Sequence, residues 1–269
     1  MPLSALILAL GSAALHAAWN LLLGRARDVQ AAAAVTFLLS VAIALPFAIV
    51  WWQADASVWP WALASTLLEV VYVVTLALAY RLSEVSFVYP VTRGLAPLIA
   101  LGFAVLALGH GVSVAASVGV VLIAIGVVSV RGRPRDGDAA AVLLSVTISA
   151  TIAAYTLVDR VGIQHAGALT YFVLTLAAPS LVYPPLVGAR AMRRELGPAV
   201  VVAGLANLGS FLLALLALRH GSAASVLAVR STSVVIATVL AGRVLAERVS
   251  KLRLAGSLLV FAGIALLAF

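Results

Sequence analysis

The chain has 269 residues, 64% of them apolar and 10% charged, and its 17 Lys and Arg against 9 Asp and Glu leave a net charge of +8. An average soluble domain is about half apolar and a quarter charged, so a water-soluble globule could not hide this much apolar surface. The cations stand singly or in small groups between apolar runs, which excludes the basic stripe of a nucleic-acid binder, and with no cysteine there is no disulfide framework, thiol nucleophile or cysteine-ligated metal.

A bilayer core takes roughly 20 helical residues. Ten apolar runs of about that length are predicted as spans, at 3–23, 31–51, 60–81, 86–107, 112–130, 139–159, 168–188, 197–218, 222–243 and 251–269. They read as helices because they are about twice the length of a membrane strand and lack its alternation. The first run contains small residues suited to signal cleavage, but Met1-Pro2-Leu3-Ser4 supplies no positive leader, so it is read as a span.

Polar residues inside these runs are expensive in hydrocarbon and mark candidate function. In the first span His16, Trp19 and Asn20 share one face. In the third, Glu69 lies near the middle, with Tyr72, Leu76 and Tyr80 on its side. In the fourth, Arg93 has Ser86, Tyr89 and Pro97 on its side, and Pro90 and Pro97 are predicted to interrupt the helix, a feature of binding sites in transporters. The sixth carries Thr151, Tyr155 and Asp159, the last at a span end and expected at the interface. Asn207 sits mid-span in the eighth, and Arg230 lies two turns into the ninth beside Ser231 and Ser233.

The second half repeats the first at an offset of 136 to 138 residues. His16-Ala17-Ala18-Trp19-Asn20-Leu21 lies against Ile152-Ala153-Ala154-Tyr155-Thr156-Leu157; Arg93 matches Arg230, and Val112-Ser113, Gly119 and Gly126 match Val249-Ser250, Gly256 and Gly263. The paired glycines read as small-residue surfaces for close helix packing. The domains are then a first five-helix repeat over 1–130, a charged linker over 131–138 and a second repeat over 139–269. Five spans per repeat make the second copy enter from the opposite side. Charge agrees: loops after odd spans hold thirteen of the cations, from Arg25 to Arg253, whereas loops after even spans hold only Arg160 and Arg219. The positive-inside rule places the odd loops in the cytoplasm and both termini outside.

These residues, with Leu245-Ala246-Glu247 at the foot of the ninth span and Gly-x6-Gly in the last span of each half, resemble the EamA-type members of the drug/metabolite transporter superfamily. The resemblance covers nearly the whole chain and departs from the pattern at Leu108-Gly109-His110, where the family usually has Leu-Gly-Glu. It implies an all-α membrane protein of ten transmembrane helices in two inverted five-helix repeats, in the bacterial inner membrane, similar to exporters of small metabolites and amino acids. It also implies alternating access around a cavity lined by the first, third and fourth spans of each repeat, with the fifth at the periphery.

Arg offers a planar fork for carboxylate, so Arg93 and Arg230 are candidate anion ligands, the alternative being snorkelling to headgroups. Trp19, Asn20, Tyr72, Tyr155 and Asn207 complete the candidate binding set. Glu69 and His16 are the candidate proton-coupling groups, the alternatives being a packing carboxyl and a structural imidazole. The expected partners are a small carboxylate-bearing or amino-acid-like solute, membrane lipid and protons, with no nucleic acid, no cofactor and no metal. A multidrug carrier for lipophilic cations with Glu69 as the binding charge, or a non-transport scaffold, is the rival. No Gly-rich phosphate loop or catalytic cluster is present, so enzyme chemistry and ATP hydrolysis by this chain are not expected.

Overall fold

The computed structural model describes residues 1–82, 85–108, 114–131, 138–234, 236 and 251–268. Among these the regular elements are all helices, apart from one isolated bridge, Ala54 to Ala166. The helices are α1 (Leu3–Leu23), α2 (Val29–Val50), α3 (Val58–Leu82), α4 (Val85–Leu108), α5 (Val114–Arg131), α6 (Asp138–Gly162), α7 (Ala168–Val187), α8 (Ala189–Glu195), α9 (Pro198–His220), α10 (Ala223–Arg230) and α11 (Lys251–Ala268). Every predicted apolar run overlaps one of them. Six, namely α1, α2, α3, α6, α7 and α9, are long and apolar enough to cross a membrane. The linker residues 132–137, Leu245-Ala246-Glu247 and Gly109-His110 lie outside the described residues.

Local chemistry sets the ends. The Asp28 carboxylate accepts from the N–H groups of Gln30 and Ala31 and so starts α2, and Ser222 caps α10 in the same manner through Ser225. Gly188, at φ 97°, ends α7 and turns the chain into α8, which was not anticipated. Short α8 buries no residue and carries Arg190, Arg193 and Arg194.

Helix contacts come in matched pairs when the first five helices are exchanged for α6, α7, α9, α10 and α11. The packing of α1 on α9 corresponds to α3 on α6, α3 on α7 to α2 on α9, and α4 on α6 to α1 on α10; α2 meets α7 and α5 meets α11 directly. The loops divide in the same manner. Loops 51–57 and 163–167 meet at one end of the bundle, where Gly167 N–H donates to Gln53 O at 2.6 Å and Asp55 N–H to His165 O at 3.0 Å. At the other end Asp28 N–H donates to Glu195 Oε1 at 3.1 Å. Arg81 and Arg219, 138 residues apart, each donate to a backbone carbonyl at opposite ends, Leu186 O and Ala166 O respectively. At the first end the Ser57 N–H holds the exposed Asp55 carboxyl below its usual carboxylate range, and His165 Nδ1 approaches that carboxyl at 3.4 Å.

The outer pair α5 and α11 touch backbone to backbone. A Cβ at Gly126 would stand 2.6 Å from Gly256 O and 2.8 Å from Val260 N, and backbone cannot step aside. Gly126→Leu is therefore expected to cost about 1–3 kcal/mol by forced separation, visible as a lower unfolding temperature of the purified protein. Gly102→Ala, whose added Cβ meets nothing within 4 Å, is the control. Equal midpoints for the two variants would show that α5 and α11 do not rely on this contact.

Candidate functional site

Eight of the nine candidate residues line one cavity between the helices: His16, Trp19, Glu69, Tyr72, Arg93, Tyr155, Asn207 and Arg230. Asn20 does not. Its side-chain amide donates to His16 O at 2.7 Å, one turn back on its own helix, which removes it from the cavity. The cavity also takes Phe37 of α2 and Leu176, Pro179 and Ser180 of α7, so the lining is wider than the first, third and fourth spans that the resemblance implied. Phe37 and Leu176 are apolar residues in apolar runs and carry no sequence signal, whereas Pro179-Ser180 in mid-span could have been singled out. The space is narrow, about 30 Å3, enough for the centres of about two water molecules.

Neither arginine snorkels. Arg93 and Arg230 are 6% and 5% exposed and face the same cavity. An Arg93 Nη2–H donates to His16 Nε2 at 2.7 Å, while Trp19 Nε1–H donates to His16 Nδ1 at 3.2 Å. Indole and guanidinium can only donate, and a neutral imidazole has one nitrogen lone pair to offer. His16 therefore meets both donors incompletely, and protonating it would set donor against donor at both nitrogens. Arg230 Nε–H donates to Ser12 Oγ at 3.0 Å, Ser12 in turn donates to Ser210 O at 2.7 Å, and the guanidinium sits 6.0 Å from the Phe211 ring centre. Both buried charges are thus bonded to neutral groups.

The helix discontinuity falls where it was not expected. Described α4 runs through Pro90 and Pro97 without a break, whereas its counterpart α10 stops at Arg230 and passes into a turn at Ser231-Thr232. There Thr232 N–H bonds back to Val229 O, and the single Ser231 hydroxyl proton is shared between Leu227 O and Arg93 O, each 2.9 Å from its Oγ. Consecutive hydroxyl residues offer the backbone side-chain partners that compete with the helix ladder. Tyr89 Oη and Ser233 Oγ, 3.0 Å apart, add a second link between the two segments.

Two buried carboxyls stand nearby. Glu69 is 2% exposed and its Oε1 has no hydrogen-bond partner. Asp159, expected at the interface, is also 2% exposed: Ser65 Oγ donates to its Oδ1 at 2.6 Å and Tyr171 Oη at 3.0 Å. A Cβ at Gly162 would fall 2.6 Å from the Tyr171 ring, so only glycine there admits the phenol. Asn207 Nδ2 donates to Ser40 Oγ at 3.0 Å and pins α9 to α2. Among the described residues no group of three His, Asp or Glu could hold a metal.

Residues 139–269 match the EamA-like transporter family. The second half of the chain is thus similar to an EamA-like transporter. That region supplies Tyr155, Asn207, Phe211, Arg230 and the α7 residues to the cavity, and the remaining walls come from helices α1 to α4. A crystal structure described only as that of a protein has the same fold, with a TM-score of 0.73 at 16% identity over 99% of this chain and 96% of that chain. Comparison with curated proteins gives no match. The likeness to a transporter family over that region, together with six helices long and apolar enough to cross a membrane, indicates a multi-pass membrane protein.

Proposed function

We propose that the chain is a secondary active transporter that exports a small carboxylate-bearing organic solute by alternating access, through ten crossings arranged as two oppositely oriented five-helix repeats in the inner membrane. The observation that carries the reading is the pair of buried guanidiniums, 137 residues apart, facing one cavity and bonded to neutral groups. A buried charge with no carboxylate bonded to it is costly, and an entering carboxylate would supply that bond. Trp19, Tyr72 and Tyr155 offer amphipathic walls for the rest of the solute. The repeat is supported by the matched helix contacts and by the loops meeting in separate sets at the two ends. The narrow cavity corresponds to a closed intermediate that must widen to admit a metabolite. Export follows from the resemblance to EamA-type exporters.

For coupling, Glu69 is the proton carrier. It is a carboxyl on the cavity with an unpartnered oxygen, whereas His16 is held between two donors and has no lone pair left for a proton. Counterflow with proteoliposomes preloaded with labelled amino acids, mono- and dicarboxylates, or tetraphenylphosphonium tests the solute class. At least one carboxylate should exchange and its methyl ester should not. Exchange of tetraphenylphosphonium with no carboxylate active would replace this reading by the lipophilic-cation carrier.

A further inference from the structure

The groups beside Glu69 that the solute reading leaves unused form a chain toward the end of the bundle where loops 51–57 and 163–167 meet. Ser65 precedes Glu69 by four residues on α3, so the two side chains share a face about 5–6 Å apart at their Cβ atoms. Ser65 Oγ–H points away from Glu69, into Asp159 Oδ1 at 2.6 Å. That leaves the Ser65 oxygen lone pairs able to accept from a protonated Glu69. Asp159 is four residues before the loop that begins at Ile163, on the far side of Ser65 from the cavity, and it is held there by Tyr171 at 3.0 Å. Among the described residues Asp159 is bonded by two hydroxyl donors and by no cation directly, an unusual structural choice, because an amide would accept the same bonds without the desolvation cost of a charge.

We propose that Asp159 is a second proton station, exchanging one proton with Glu69 through the Ser65 hydroxyl and serving the end of the bundle where loops 51–57 and 163–167 meet. The step balances as a concerted transfer: the Glu69 carboxyl gives its proton to Ser65 Oγ, the Ser65 hydroxyl proton passes to Asp159 Oδ1, and the negative charge moves from Asp159 to Glu69. In reverse the same step reloads Glu69. Charged and titratable groups facing the pair are Arg93 of α4, Arg230 of α10, His16 of α1, Tyr72 of α3, Tyr155 of α6 and Tyr171 of α7. The two arginines favour whichever carboxylate lies nearer the cavity, so a solute anion occupying them would push the charge off Glu69 and load it with the proton from Asp159.

The inference rests on the proton role given to Glu69, and its test separates the two. Time-resolved infrared spectra of reconstituted protein after a pH jump follow the carbonyl band of protonated carboxyls, with the proton as the only ligand. The Glu69 component is the band lost in Glu69→Gln. Its rise should slow about 10-fold or more in Ser65→Ala and in Asp159→Asn and return in Ser65→Thr, which keeps the hydroxyl. Asp159→Asn still accepts from Ser65 and Tyr171, so its unfolding temperature should stay near wild type. An unchanged rate in Ser65→Ala and Asp159→Asn overturns the relay and leaves the Glu69 role standing. A Glu69→Gln spectrum identical to wild type at every pH sinks both.

Discussion

Arg93→Lys and Arg230→Lys are each expected to weaken binding of the transported carboxylate about 10-fold, and the Met variants about 100-fold, with the fold intact. Lysine keeps the charge but replaces a planar two-donor fork by a point, and a charged hydrogen bond lost in a dry site is worth roughly 1.5–3 kcal/mol. The positions differ in what else they hold. Arg93 must leave His16 Nε2 to grip an anion with both arms, whereas Arg230 is anchored through Nε to Ser12 and has its terminal nitrogens to offer. Arg230→Lys should therefore also loosen the Ser12–Ser210 link between α1 and α9 and lower the unfolding temperature more than Arg93→Lys does. Quenching of Trp19 fluorescence, with the other four tryptophans replaced by Phe, measures affinity at the cavity. If both Lys variants bind the carboxylate as wild type does and only yield falls, the arginines are structural.

Glu69→Gln should abolish accumulation driven by an imposed pH gradient and leave counterflow of the same carboxylate within about two-fold of wild type. Gln preserves shape and hydrogen-bonding capacity but has no proton to release. Counterflow needs only reorientation of loaded carrier, so it reports binding and access without coupling. His16→Gln is the matched control: it removes the imidazole that occupies Arg93 and should change affinity while accumulation persists. Accumulation by Glu69→Gln together with its loss in His16→Gln would transfer the proton role to His16, despite the two donors against that ring.

The helices were legible because burial in lipid demands long apolar runs, and the predicted bounds lie within a few residues of the described helices, save in the ninth run, whose far end lies outside the described residues. Sequence spacing also identified residues that share a cavity, since an ionisable or amide group inside hydrocarbon must face inward wherever it lies. What spacing could not give was partners. Asp159 looks interfacial by its distance from the span end, but the antiparallel α3 brings Ser65 against it at that depth. Asn20 looks like part of the His16–Trp19 face, yet its amide spends its donor on its own helix. The prolines of α4 misled for a related reason: a helix tolerates proline where neighbours supply other bonds, while the run Ser231-Thr232-Ser233 ends its counterpart with no proline at all.

The two ends of the bundle are fastened differently. Backbone bonds from Gly167 to Gln53 and from Asp55 to His165 close one end, and a side-chain carboxylate on the Asp28 N–H joins the loops at the other. In a carrier whose two halves trade places, such fastenings set the resting populations of the inward and outward forms. An imbalance of one bond, about 0.5–1.5 kcal/mol, biases those populations by roughly 2- to 13-fold. The measured affinity on the disfavoured side falls by the same fraction, because solute arriving there must wait for the rarer form. On the proposed alternating-access mechanism, sidedness of apparent affinity would be set by loops that do not line the cavity.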